Sequence, residues 1–369
     1  MSKLTACFLV FLLLFTACSP AASSTPPAPA SSAAPTPSVT APVVTPKGGD
    51  LIIFTWADYV NEDVVAAFEE ETGVQVYFSY FDSNEEMLTK LSAASGVGYD
   101  LVLASDYIIA ESIGQKLAQE LDYTMLPHAA DIDPYYRGEY YDPQDLYTIP
   151  FAAGTPLIIY DPEKVDIPIT GYASLWDPSL AEAVVVFNDA RLMVGFTMMM
   201  LGGSLNSTDP ALIAAAEEKL YELKPNILSY DYDAAYEKMI DGSASAGLMF
   251  SSSIVFAMDE NPALEVVYPE EGMGYGIDCF FIPSGAANVD NAHLFLDFIL
   301  QGEAAAELSM YAGYRACVST AAEYLPEEIL TNAALYIPDA ILGDAEFMMP
   351  VDAATTELIS DAWTRVRAR

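Results

Sequence analysis

The chain has 369 residues, with 53 acidic against 14 basic side chains and a formal net charge of −39. Such a surface has no basic patch to displace counterions from a phosphate backbone; it excludes nucleic acid as a partner and enriches cations nearby. The two histidines, His128 and His293, lie far apart without ligand spacing, and no paired-cysteine motif occurs, so no metal site and no cofactor are expected.

Lys3 precedes an apolar run, Leu4 to Phe15, that is too short to span a bilayer comfortably. It ends in Phe15-Thr16-Ala17-Cys18, small residues before a cysteine, which resembles a bacterial lipoprotein signal. Residues 1–17 therefore read as a signal peptide, with Cys18 expected to carry acyl chains. Several such chains anchor a protein at about 0.8 kcal/mol per buried methylene. Ser19 to Pro46 is almost wholly Ser, Pro, Ala, Thr and Val, a composition that buries no core and suits an extended tether, so residues 18–48 read as the lipidated cysteine and its tether. At ~3.1 Å per residue it reaches roughly 85 Å. The expected location is extracytoplasmic, anchored to the cell membrane. Cys7 leaves with the signal, and Cys279 and Cys317 remain as either a disulfide or two separate buried thiols.

The body, from about residue 49 onward, is long enough for two lobes. Leu51 to Thr55 predicts a buried strand. Asn61 predicts a helix start, with Glu62 and Asp63 in its first turn and Gly73 as its end. Val74 to Tyr80 predicts a second strand. Ser83-Asn84-Glu85-Glu86 reads as a capping box, and Asp100 to Ala104 as a third strand. This βαβαβ rhythm predicts a parallel sheet covered by helices, whose ligands sit at the carboxyl ends of strands. Residues 56–59 and 105–107 occupy those ends. Further on, Leu157 to Tyr160, Val184 to Phe187, Leu248 to Phe250, Val266 to Tyr268 and Phe280 to Pro283 read as strands. Leu192 to Leu201 reads as a Met-rich core helix, and Thr208-Asp209-Pro210 as a helix start. His293 to Leu300 predicts an amphipathic helix running past Gly302, with His293 exposed. The tail from Pro338 adds a last helix.

In their order and spacing, several of these segments resemble the bacterial spermidine/putrescine-binding proteins of ABC importers, across nearly all of residues 49–369. They are Phe54-Thr55-Trp56-Ala57-Asp58-Tyr59-Val60, Glu71-Thr72-Gly73-Val74, Ser83-Asn84-Glu85-Glu86-Met87, Tyr99-Asp100-Leu101-Val102, Tyr147-Thr148-Ile149-Pro150, Ser174-Leu175-Trp176-Asp177-Pro178, Asn188-Asp189-Ala190-Arg191, Gly276-Ile277-Asp278 and Ala312-Gly313-Tyr314. The resemblance implies an α/β, two-lobe periplasmic-binding-protein fold with crossover hinge strands and an interlobe cleft. Residues 49–152 and 277–320 would form lobe 1, and 153–276 and 321–369 lobe 2. It implies a monomeric binding component rather than an enzyme, one that takes a polyamine or small amine and hands it to membrane permease subunits.

The residues carried over as ligand-binding are Trp56, Asp58, Tyr59, Ser105, Tyr107, Asp189, Asp278 and Tyr314. Phe250 stands where relatives have a tryptophan, Gly276 where they have another, Leu192 in place of an acid and Met348 in place of a glutamine. Tyr275 and Asp106, each one residue from a site position, are the candidates to compensate. One carboxylate and two aromatic stacks fewer imply a ligand with fewer charges than spermidine, such as putrescine. Asp189 has a competing structural use, as a helix cap or the partner of Arg191. The alternative function is the same fold binding a thiamine-like cation, a sugar or an anion. An enzyme would need a nucleophile and base, and neither histidine falls in a motif and no Gly-x-Ser-x-Gly occurs.

Overall fold

The computed structural model describes residues 49–231 and 234–368, the side chain of Asp339 excepted. The signal, Cys18 and the tether lie outside the described residues. The body opens as expected with β1 (Asp50–Thr55), α1 (Glu62–Thr72), β2 (Gln75–Tyr80), α2 (Asn84–Ala93) and β3 (Leu101–Ser105), and continues into a helix the sequence reading lacked, α3 (Asp106–Gly114). Asn61 caps α1 by accepting the Asp63 N–H at 2.8 Å, and Gly73 ends it in the left-handed region at φ 73°. The capping box at α2 is only half formed. Ser83 accepts the Glu86 N–H at 3.2 Å, but the Glu86 carboxylate reaches back to the Asp82 N–H at 2.9 Å rather than to Ser83.

A long connection leads to β4 (Thr148–Gly154), which runs on through Thr155 into β5 (Pro156–Tyr160). Then follow β6 (Val184–Phe187), α4 (Ala190–Met200), α5 (Pro210–Leu223), β7 (Ile227–Asp231), α6 (Ala235–Ile240), β8 (Ala246–Phe250), α7 (Ser251–Glu260) and β9 (Glu265–Val267). The chain returns through β10 (Gly274–Phe281), α8 (Val289–Ile299), α9 (Gly302–Ala312) and β11 (Arg315–Ala316). It finishes with α10 (Glu327–Leu330), α11 (Asp339–Leu342), β12 (Glu346–Phe347) and α12 (Ala353–Ala368).

These strands form two sheets, one in each lobe. The first has the order β11-β4-β10-β3-β1-β2, with β12 added to β10; the second has the order β7-β6-β8-β5-β9. β1 pairs in parallel with β2 and β3, while β10 runs antiparallel between β3 and β4. The chain thus passes between lobes at β4–β5 and again at β9–β10. Strand β10 is longer than the Phe280–Pro283 read from sequence, because Gly274, Gly276 and Asp278 break the apolar pattern of a strand that is nonetheless paired along most of its length. Strand β4 was hidden by Pro150. That proline lacks a ladder donor but faces Cys279 where the register shifts between Asp278 and Cys279, and a bulge admits it into a central strand.

Other expectations change. His293 is 2 % exposed, not a solvent-facing residue. Its Nε2 accepts the Asp122 N–H at 2.9 Å and its Nδ1 meets the Val289 carbonyl at 2.8 Å, so a neutral ring with the proton on Nδ1 satisfies both contacts. The expected continuous helix breaks at Leu300 and Gln301 into α8 and α9. The tail assigned to lobe 2 is shared. Ile359, Ala362, Trp363 and Val366 of α12 pack into the second lobe's core, whereas Leu325 packs into the first lobe's core and β12 pairs with β10. Cys279 and Cys317 are both buried free thiols.

One buried acid holds the first lobe together. Asp100 accepts the Ile52 N–H at 2.9 Å, the Ala287 N–H at 3.1 Å, the Asn288 N–H at 2.9 Å and the Asn288 side-chain amide at 3.1 Å. It ties β1 to the loop that enters α8. Asp100→Ala strands three backbone donors, and the expected loss in chemical denaturation is about 2–4 kcal/mol. Asp100→Asn, which keeps one acceptor oxygen, should lose less.

Candidate ligand-binding site

The ends of β1 and β3 and the crossover strand β10 bring one set of polar and aromatic side chains together. Ser105, the last residue of β3, stands opposite Asp278 in the antiparallel ladder, with Ala152 of β4 on the other side. The Tyr59 hydroxyl donates to Asp278 Oδ2 at 2.6 Å. The Tyr59 ring meets Trp56, Phe151 and Tyr314 edge-on, at centroid distances of 5.6, 5.5 and 6.1 Å. Gly154 makes room for Tyr314, since a Cβ there would stand 2.6 Å from Tyr314 Cε1. Burial raises the Asp278 carboxyl above its ordinary range, and the hydroxyls of Tyr59 and Ser105 pull it back only in part. Among the described residues, none of the ion pairs includes Asp278.

Asp106 begins α3 beneath this group and is 2 % exposed. Its carboxylate accepts the Tyr107 N–H at 2.5 Å and the Ile277 N–H at 3.2 Å, pinning the crossover strand to the helix start. Burial pushes it up to about 8; the two amides oppose that shift and the Asp278 charge adds to it. It therefore stands close to Asp278, whereas Tyr275 does not. Strand alternation puts Tyr275 on the opposite face of β10, buried against Phe347 at 5.2 Å and Tyr135 at 6.2 Å.

A second group forms beside the first. Tyr107 donates its hydroxyl to Glu85 Oε1 at 3.1 Å and accepts from Asn84 Nδ2 at 3.1 Å. Asn84 spends its other amide hydrogen on Ser105 Oγ at 3.1 Å and accepts the Ser105 N–H at 3.3 Å. From the second lobe comes Asp189, which caps α4 by accepting the Leu192 N–H at 2.8 Å. The competing structural use of Asp189 is therefore real as a cap. Arg191 directs its guanidinium elsewhere, to the Leu205 carbonyl at 2.6 Å, Asn206 Oδ1 at 2.9 Å and the Met349 carbonyl at 3.1 Å. Burial raises the Asp189 carboxyl, and the charge of Glu85 on the other lobe raises it further; burial raises the Tyr107 phenol, with Glu85 and then Asp189 adding to it. Asn84 and Glu85 were read from sequence only as a helix start. Their position straight after β2 was the available signal.

The remaining expected residues lie apart. Phe250 is half-buried at the end of β8, edge-on to Phe187 at 4.9 Å. Asp58 is exposed, at a left-handed φ of 54°, and lines a notch with Trp56, Glu62, Tyr80 and Tyr311. Two carboxylate centres, Asp278 beside Tyr59 and Glu85–Asp189 beside Tyr107, thus each have aromatic neighbours. Such a site suits a ligand with positive charge at two points and methylenes between.

Comparison with known proteins places the chain in a family. The model of the bacterial extracellular solute-binding protein family matches residues 63–336. The chain is 32% identical over 279 residues to the spermidine/putrescine-binding periplasmic protein 1 of Haemophilus influenzae, covering 75% of this chain and 78% of that protein. It is 30% identical over 307 residues to the spermidine/putrescine-binding periplasmic protein of Escherichia coli, covering 83% and 88%. Among solved structures, the substrate-binding protein PotD of a Streptococcus pneumoniae spermidine/putrescine ABC transporter superposes with a TM-score of 0.79 at 32% identity, covering 87% of this chain and 99% of that one.

Proposed function

Because the chain belongs to the bacterial extracellular solute-binding protein family, we propose that it captures a small aliphatic diamine, putrescine above all, between its lobes and delivers it to the permease of an ABC importer. The observation that carries this reading is the pair of carboxylate centres set among aromatic rings. Asp278 is bonded by two hydroxyl groups and joined by no cation among the described residues. Glu85 and Asp189, on opposite lobes, carry like charges near enough for the Glu85 charge to raise the Asp189 carboxyl, an arrangement that an ammonium between them would relieve. The rings of Trp56, Tyr59 and Tyr314 supply walls for methylenes and for cation–π contact. The relatives named for spermidine and putrescine support the same class of ligand.

Glu85 offers a carboxylate in a site where Leu192 removes one, so two ammonium groups can each be met. Micromolar affinity needs about 8 kcal/mol, which two charge-assisted contacts and several ring contacts can reach together. The finer features of the proposal are the acylated anchor at Cys18, the reach of the tether and action as a monomer. Membrane fractionation of a Cys18→Ala variant, expected to release the protein, addresses the anchor. Calorimetry and thermal shift of the full chain against putrescine, spermidine, thiamine, sugars and organic anions address the ligand. Putrescine is expected to bind in the micromolar range and to raise the melting temperature. A response confined to sugars or anions would overturn the reading.

A further inference from the structure

Behind the crossover strands, on the face of the first sheet turned away from Asp278, lies a second polar pocket. Arg315 of β11 stands in register with Ala153 of β4, and Ala153 with Ile277 of β10. Residues opposite one another in an antiparallel ladder point to one face, and alternation turns Asp278 and Tyr314 to the other. Tyr136, Thr155, Tyr275 and Arg315 line the pocket, together with Leu335 and Ile337 of the tail. Thr155 joins β4 to β5 and Tyr275 lies at the start of β10, so both crossovers border it.

Its polar groups are short of partners. Tyr136 and Tyr275 are 2% and 5% exposed, and neither hydroxyl oxygen has a hydrogen-bond partner. The two phenols stand near enough to affect one another's titration, but without hydrogen-bond geometry. A buried hydroxyl with no partner is costly and uncommon. Burial holds both phenols far above their ordinary value, so both keep their protons as donors. The Arg315 guanidinium lies over the rings of Tyr136 and Tyr336, at 5.8 and 5.2 Å. Its ion-pair partner among the described residues is Asp133, at 3.6 Å, which is beyond hydrogen-bond reach.

We propose that this pocket is a halide site, taking one chloride ion among the Tyr136 hydroxyl, the Tyr275 hydroxyl and the Arg315 guanidinium. A guanidinium has five N–H donors and no acceptor, and a phenol donates to any guest that only accepts. A monatomic anion accepts from all three groups at once. A water molecule accepts from two at most, and a cation is repelled by Arg315. The pocket's volume of ≈ 10 Å³ holds one atom-sized guest, which excludes sulfate, phosphate and carboxylates. Asp133 offsets part of the Arg315 charge, so the expected Kd is on the order of millimolar. An ion seated here touches both strands about which the lobes turn, at a distance from the amine-binding face.

The test is 35Cl NMR of the full chain, titrated with sodium chloride from a chloride-free buffer. Protein-bound chloride broadens the resonance, and the excess linewidth is expected to saturate. Sodium bromide should compete it away, whereas sodium sulfate at equal ionic strength should not. Arg315→Gln should reduce the excess linewidth at least tenfold and Tyr275→Phe at least threefold, while Lys219→Gln, a distant exposed lysine, changes nothing. Tyr275→Phe keeps the ring and removes only the unpartnered hydroxyl. Its melting temperature in chloride-free buffer should hold or rise while its chloride response falls, an outcome that a merely structural role for the hydroxyl would not produce. The linewidth of free chloride throughout, broadening that sulfate removes as well as bromide does, or an unchanged response in both Arg315→Gln and Tyr275→Phe would overturn the proposal. No amine enters the measurement, so this reading and the diamine reading can fail separately.

Discussion

Asp278→Ala is expected to weaken putrescine binding at least about 30-fold and up to thousands-fold, the larger of the two principal effects. Asp278 is the one acid of the site that the crossover strand itself presents, with Tyr59 and Ser105 already bonded to it. Truncating one member of a buried, hydrogen-bonded charge pair costs about 2–5 kcal/mol, because the other charge is left without its counterpart. That is roughly 30- to 5,000-fold in Kd. Asp189→Ala should cost less, since Glu85 remains to face the same ammonium. It should also loosen the start of α4 by about 1 kcal/mol through the lost cap, so its binding is to be measured alongside its melting temperature. Calorimetry with both variants checks the ranking; equal affinity in Asp278→Ala and the parent chain would remove the site from the account.

Affinity for putrescine is expected to rise about 10- to 100-fold between pH 5.5 and 7.5. The sign follows from the direction of the shifts. Burial raises the Asp278 carboxyl and pushes Asp106 up to about 8, where the Asp278 charge adds to the shift. Below the Asp106 value part of the ligand-free protein holds a proton at this site. An ammonium prefers the ionised carboxylate, so binding expels the proton, and each proton expelled changes Kd about tenfold per pH unit until the raised pKa is passed. The ligand's own amines, like a lysine near 10.4, stay charged throughout this range. Calorimetry in buffers of different ionisation enthalpy measures the proton release directly. Affinity that is flat in pH, or that improves in acid, would contradict the assigned protonation.

Local signals carried the alternating strands and helices far. Asn61, Gly73, Asp209 and the apolar runs of β1, β3, β6 and β8 each end or begin an element for a reason internal to a few residues. What was hidden depends on distant partners. Pro150 argues against a central strand until a bulge opposite Cys279 admits it, and the polar, Gly-rich half of β10 reads as a loop until β3 and β4 pair with it. His293 looks like an exposed helix residue until Asp122, far away in sequence, donates to it.

The site divides in the same way. Trp56, Tyr59, Ser105, Tyr107, Asp278 and Tyr314 were named from strand ends and family motifs, and the fold gathers them around one carboxylate and its neighbours. Asn84 and Glu85 escaped because a helix-capping pattern already explained them. Asp58 shows the converse. Its place between Trp56 and Tyr59 suggests a shared pocket, and all three do line one notch, but there Asp58, at a left-handed φ of 54°, stands with Glu62 and Tyr311.

The most direct measurement is a crystal structure of the protein grown with putrescine. One nitrogen is expected within about 3 Å of an Asp278 carboxylate oxygen, with the second between Glu85 and Asp189 and the methylenes against Trp56 and Tyr314. A cleft filled by a neutral or anionic molecule, with Asp278 and Asp189 turned away from it, would contradict the account.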